Sequence, residues 1–217
     1  MLWDMDGTLV DTEPHWWAAE IELVEAHGGT WTRADAVGMV GSAMSVCAAA
    51  LQERGVALGT EEIAHALNSA VGAAVAAGIP WQPGARELVE ALHAAGVPQA
   101  LVTSSFAVLA DPFATAVGLF DVVVAGDRVR RPKPDPEPYL TAARQLGVDP
   151  ARTVAVEDSR SGIASAVASG ARVIAVQTAA PVAPPAGVTR TGSLADVDLD
   201  VLARVVAGET LDLRRAG

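Results

Sequence analysis

The chain has 217 residues, 51% of them apolar, with one cysteine and a formal net charge of −11. That apolar share supplies a full core and excludes a disordered chain. The acidic balance excludes a nucleic-acid binder, which needs basic surface, yet admits a small phosphorylated ligand neutralised locally by a metal and a lysine. Cys47 alone can form no internal disulfide, and in its Ala-rich run it reads as packing filler rather than a nucleophile. No apolar stretch is long and charge-free enough to cross a bilayer, and no basic leader with a hydrophobic segment opens the chain. A soluble, unprocessed protein of a reducing cytoplasm is expected.

Met1-Leu2-Trp3 is a very short apolar start, below the ~5–6 residues of an average strand. It reads as a short first strand, or as one that has lost a few residues. The acidic turn Asp4-Met5-Asp6-Gly7-Thr8 follows. From Thr12 to about Trp81 the pattern is helical only, with helices predicted over 14–27, 33–40, 45–54 and 60–77. Gly28-Gly29, Gly55 and Gly78 punctuate them. An all-helical block inserted after the first strand is expected to form a cap over a site, spanning 13–81. Its two crossings, 11–14 and 79–83, each carry a stiffening proline.

Pro83-Gly84 opens a further helix that runs to Ala95, where Gly96 stops it. Beyond Pro98, strands predicted at 100–102, 121–125, 153–156 and 172–176 alternate with helices at 106–117, 136–146 and 159–169. Gly118, Gly147 and Gly170 stand where helix C-caps are expected. Pro112 is expected to kink or split its helix. The Pro/Ala-rich 179–187 reads as a surface loop and 198–207 as a last helix. The fold class is therefore α/β: a doubly wound, Rossmann-like parallel sheet over 1–12 and 82–217, with the helical cap inserted.

Ligands of open α/β sheets bind beyond the carboxyl ends of the strands. Asp4, Thr103 and Asp158 each end an apolar run, and Lys133 lies in the connection after the 121–125 strand, on the same edge. Lys133 is also the only lysine of the chain, and prolines flank it on both sides. Phosphate monoesters are dianions, so a carboxylate nucleophile needs positive charge between them. Mg²⁺ held by Asp4, the Asp6 backbone carbonyl and Asp158 would supply it. Asp4 would then attack to give an aspartyl-phosphate, with Asp6 protonating the leaving alkoxide and later deprotonating water. Lys133 and the Thr103 hydroxyl would hold the transferring oxygens. Glu157 is either a support for the metal or a partner for Lys133.

The chain resembles the haloacid dehalogenase-like hydrolase superfamily, in the helical-cap branch that includes β-phosphoglucomutase and small sugar-phosphate phosphatases. Asp4-Met5-Asp6-Gly7-Thr8-Leu9-Val10-Asp11-Thr12-Glu13-Pro14 fits the first motif, Thr103 the second, Lys133 the third, and Glu157-Asp158-Ser159 with Gly162 the fourth. The resemblance implies Mg²⁺, the aspartyl-phosphate intermediate and a cap that closes over substrate to exclude water. Phosphate contacts are expected from Met5, Thr103, Ser104 and Lys133, and substrate contacts from Ser42 and Met44 in the cap. Trp3 replaces a usual Phe and Ser161 a frequent Asn. Asp6 excludes the dehalogenase subgroup, which lacks this second carboxylate. A β-phosphoglucomutase-like phosphosugar mutase is the alternative, but the cap has no lysine, and Gly41-Ser42-Ala43-Met44 lacks the expected arginine. Glu13-Pro14-His15-Trp16-Trp17 is closer to the phosphatases. A receiver domain phosphorylated on Asp would be shorter and would lack the helical insertion. The expectation is a phosphatase of small organic phosphates, monomeric or weakly dimeric, with no nucleic-acid or membrane partner.

Overall fold

A computed structural model describes residues 1–40, 42–177 and 183–214. Six strands form one parallel sheet in the order β3-β2-β1-β4-β5-β6. They are β1 (Leu2–Trp3), β2 (Ala100–Val102), β3 (Val122–Val124), β4 (Val154–Glu157), β5 (Arg172–Val176) and β6 (Thr189–Thr191). Although β1 has two residues, it lies at the centre, with Leu2 opposite Ala100 and Ala155 and Trp3 opposite Leu101 and Val156.

Both faces of the sheet are buried, which is why β1 to β5 read as largely apolar runs. Leu2, Ala100, Val102, Ala155 and Val173 point to one side, where they meet Tyr139 and Ala142 of α7 (Glu137–Leu146) and Ile163 of α8 (Arg160–Ala168). Trp3, Leu101, Val156 and Ile174 point to the other. There they pack with Leu88 of α5 (Ala85–Ala94), Phe113 of α6 (Ala107–Val117) and Leu202 of α9 (Leu199–Val206). The Trp3 indole would be an orphan donor in this core, but it donates to Gln99 Oε1 at 2.8 Å.

Four helices follow β1: α1 (Glu13–Ala26), α2 (Arg33–Met39), α3 (Met44–Glu53) and α4 (Thr60–Ala77). Val24, Trp31, Leu51, Ile63, Leu67 and Val71 are buried among them. Thr32 and Asp35 close a reciprocal capping box at the start of α2. The chain leaves and re-enters the sheet side by side: Asp11 N donates to Pro80 O and Gln82 N to Leu9 O, each at 2.8 Å. No helix among the described residues is long and apolar enough to cross a membrane.

Two expectations need correction or completion, and one strand was not expected. Pro112 does not split α6, which runs unbroken from Ala107 to Val117. Val108, whose carbonyl has no amide partner at Pro112, lies against α4 where Gly72 leaves room; a Cβ there would sit 3.4 Å from that carbonyl. β6 was not foreseen, because Thr189–Thr191 is short and has no apolar run to announce it. Of the Pro/Ala-rich loop 179–187, residues 179–182 lie outside the described residues, as does Gly41, and 183–187 contain no helix or strand.

Candidate active site

The first acidic motif forms a tight turn at the end of β1. Asp4 N continues the sheet by donating to Val156 O at 3.1 Å, and Leu9 N and Val10 N both return to Met5 O. Gly7 has φ +81°, and a Cβ on it would fall 2.1 Å from Asp158 Oδ2. Only glycine combines that backbone with so close an approach. Thr8 Oγ1 then donates to Asp158 Oδ1 at 3.2 Å, so the first and fourth motifs touch.

Lys133 is the electrostatic centre of the group. Its Nζ donates to Asp4 Oδ1 at 2.8 Å, Glu157 Oε1 at 2.6 Å and Val102 O at 2.9 Å. Those three bonds use every N–H of the ammonium. Its side chain is 3% exposed, those of Asp4 and Glu157 9% and 0%. Glu157 is thus the partner of Lys133, and it is further tied by Tyr139 Oη at 2.7 Å and Ser159 Oγ at 3.1 Å. Gly162 makes space for it, since a Cβ there would land 1.8 Å from Glu157 Oε1. Ser159 also caps α8 by accepting from Gly162 N at 3.0 Å.

Burial alone would lower the Lys133 pKa, but the neighbouring Asp4 and Glu157 carboxylates outweigh it and hold the ammonium firmly protonated. Burial and then the charge of Glu157 push the Asp4 carboxyl upward, against the pull of Lys133. Oxygens of Asp4, Glu157 and Asp158 lie within 4.8 Å of one another. Three carboxyl groups beside one ammonium make a site that a divalent cation would complete. The all-oxygen donor set fits a hard ion such as Mg²⁺ rather than a sulfur- or imidazole-seeking metal.

The Asp6 side chain points elsewhere and is not one of those three. Its Oδ1 accepts from Thr12 Oγ1 at 2.6 Å and Trp16 Nε1 at 3.2 Å. Its Oδ2 accepts from Ser105 Oγ at 2.6 Å and Thr103 Oγ1 at 3.2 Å. Every donor is neutral, two from the β2 end and two from the entry to the cap. Thr12 and Trp16 fall in the first motif and the segment after it, but Thr12, Trp16, Ser105 and Tyr139 were not among the expected site residues. Thr12 holds the N-cap position of α1 without capping it, its hydroxyl being engaged by Asp6. A hydroxyl just before a helix is normally explained by capping, which hid this role.

A cleft of about 890 Å³ opens between the strand ends and α1, α2 and α3 of the inserted helices. Asp4, Asp6, Thr103, Ser104 and Asp158 line it from the sheet, Ser42 and Met44 from the cap. Lys133 and Glu157 lie beneath that surface. The Met5 side chain is fully buried, so any phosphate contact there comes from its backbone. Cys47 is buried, and burial followed by the Glu20 charge pushes its thiol up to about 12, which rules out a thiolate nucleophile near neutrality.

The site is thus a lysine-centred carboxylate cluster at the strand ends of a parallel sheet, facing the helices inserted after β1. The chain belongs to the haloacid dehalogenase-like hydrolase family, whose profile matches residues 1–170. It is 33% identical over 192 residues to hexitol phosphatase A of Escherichia coli K12, covering 82% of this chain and 83% of that one. It is 34% identical over 191 residues to the N-acetylmuramic acid 6-phosphate phosphatase of Pseudomonas aeruginosa, covering 82% and 80%. The crystal structure of CbbY from Rhodobacter sphaeroides in complex with phosphate superposes with a TM-score of 0.82 at 29% identity, covering 93% of this chain and 97% of that one.

Proposed function

We propose that the protein is a Mg²⁺-dependent phosphatase that hydrolyses small organic phosphate monoesters, of the sugar-phosphate kind, through an aspartyl-phosphate. The observation that carries this reading is the contact of Lys133 with both Asp4 and Glu157 beneath a cleft lined by Asp6. The names of the phosphatase relatives support the same class. Asp4 and Asp158 are the metal ligands in this reading, with the Asp6 carbonyl and with Glu157 in support; the ion offsets the charge of the phosphoryl oxygens when bound.

Lys133 fixes one oxygen of Asp4 and places positive charge beside the incoming phosphoryl group. Attack by the Asp4 carboxylate forms a bond to phosphorus as the bond to the ester oxygen breaks. Asp6 gives that oxygen its proton and then takes one from the water that cleaves the acyl phosphate. The Thr103 hydroxyl and the exposed Ser104 at the β2 end bind the transferring oxygens. Met5 contributes through its backbone.

Phosphate release from p-nitrophenyl phosphate and sugar monophosphates, with Mg²⁺ and with a chelator, tests the reading. Asp4→Asn is expected to abolish turnover while retaining the fold. Substantial activity in a well-folded Asp4→Asn protein would remove the nucleophile. Transfer of the phosphoryl group to a second sugar hydroxyl in place of water would make the enzyme a mutase.

A further inference from the structure

The cap contributes a buried carboxyl group to the cleft that the phosphoryl chemistry leaves unused. Glu20 of α1 is 5% exposed and still lines the cleft. Glu13, Trp16, Trp17 and Glu20 are spaced i, i+3, i+4 and i+7, which sets them along one stripe of the helix. All four line the cleft. Two cap residues hold Glu20: Trp31 Nε1 donates to Oε2 at 3.0 Å and Cys47 Sγ to Oε1 at 3.5 Å. A carboxylate accepts about four hydrogen bonds and a thiol is a weak donor, so Glu20 retains accepting capacity.

A carboxyl buried among apolar side chains is costly unless further donors reach it. The neighbouring groups share the same character. The Trp17 indole N–H is buried and closes no hydrogen bond of normal geometry. Its influence on Glu13 is outweighed by burial and by the charges of Asp6, Asp11 and Glu20, which push Glu13 up to about 7. Positive charge is scarce on this wall. Arg33 lies over the Trp17 ring, 4.8 Å from its centroid, and is not among the lining residues. Among the described residues, Arg160 at the start of α8 is the one basic side chain lining the cleft, and it belongs to the sheet side. A second phosphate against the α1 stripe would meet like charge with no cation from the cap to offset it.

We propose that the α1 stripe selects a phosphomonoester whose organic half presents hydrogen-bond donors, hydroxyl or ammonium, and carries no second anion, with Glu20 as the specificity-determining group. Trp16 and Trp17 wall the space in which that organic half lies. This inference rests on the phosphatase reading and names the substrate class of the same cleft.

The test compares kcat/KM for glucose 6-phosphate, glucosamine 6-phosphate, glucose 1,6-bisphosphate and p-nitrophenyl phosphate, in the wild type, Glu20→Leu and Glu20→Gln. The wild type is expected to favour both monophosphates over the bisphosphate by about tenfold or more. In Glu20→Leu the ratio of sugar monophosphate to p-nitrophenyl phosphate activity should fall by about tenfold. Glu20→Gln keeps an acceptor for Trp31 and carries the test if the leucine variant fails to fold. It should lose glucosamine 6-phosphate more than glucose 6-phosphate if ammonium is the recognised donor, and both alike if hydroxyls are. An unmoved ratio in the folded variants, or a bisphosphate turned over as well as the monophosphates, overturns the inference alone. A wild type that hydrolyses none of these esters with Mg²⁺ overturns the phosphatase reading and this inference together.

Discussion

Asn68 Oδ1 in α4 accepts the backbone N–H of Phe106 at 2.7 Å, so a side chain of the inserted helices caps the first turn of α6. Its Nδ2 donates to Ala64 O at 2.8 Å, and the residue is fully buried. Phe106 directly follows Thr103, Ser104 and Ser105, so this bond ties the cap to the loop that contacts Asp6. Asn68→Ala leaves the half-buried Phe106 N–H without its partner and should cost about 1–3 kcal/mol. Because the loop loses its anchor, kcat should fall as well. Asn68→Asp keeps the acceptor and should recover much of both. Thermal unfolding and steady-state kinetics check this, and an Asn68→Ala protein unchanged in both would refute it.

Lys133→Met removes the ammonium from between Asp4 and Glu157. Stranding two buried carboxylates should destabilise the protein by about 3–5 kcal/mol. Turnover should drop by about a hundredfold or more, as when a preorganised charge is lost from a transition state. Lys133→Arg should not restore it, because a planar guanidinium cannot reproduce three bonds of 2.6–2.9 Å around one nitrogen. Denaturant unfolding together with phosphate-release assays gives both numbers.

Gly7→Ala and Gly96→Ala separate backbone strain from collision. Both glycines have positive φ, +81° and +69°, but a Cβ on Gly96 meets nothing within 4 Å whereas one on Gly7 meets Asp158. Gly96→Ala should cost only the left-handed backbone term, about 1–2 kcal/mol, with kcat retained. Gly7→Ala should additionally displace Asp158 and abolish activity. Equal kinetics for the two variants would show that the Gly7–Asp158 contact is unimportant.

Glu13 predicts a pH dependence of stability. Its pKa is raised from 4.5 to about 7, by burial first and then by Asp6. The native state therefore binds this proton more tightly than the unfolded chain does. The resulting stabilisation is complete below about pH 4.5 and is lost as pH rises toward 7. Relative to Glu13→Gln, the wild type should lose melting temperature across that window. A difference that stays flat, or that grows with pH, would contradict the assignment.

The sheet was legible in the sequence because strands buried on both faces leave continuous apolar runs, and glycines mark where the helices stop. Asp4, Thr103 and Asp158 could be placed together because each ends such a run on a parallel sheet. Lys133 was legible by being the sole lysine between two prolines. The partners of Asp6 were not legible: Thr12 and Trp16 lie at a helix start, and Ser105 is 99 residues away from the carboxylate it donates to. Tyr139 lies inside α7, and nothing in the sequence marks its hydroxyl as a partner of Glu157.

By itself, then, the sequence determined the order of the main helices and of every strand but β6, the acidic and basic groups available, and the sheet edge at which they gather. Those follow from hydrophobic period and turn chemistry, which act over a few residues. Only the tertiary structure decided that Glu157 pairs with Lys133, that Asp6 accepts four neutral donors, and that Asn68 links cap to core. Four of those six bonds join residues 24 or more apart in the chain, and their geometry is set by how whole helices and strands pack, which no local pattern encodes.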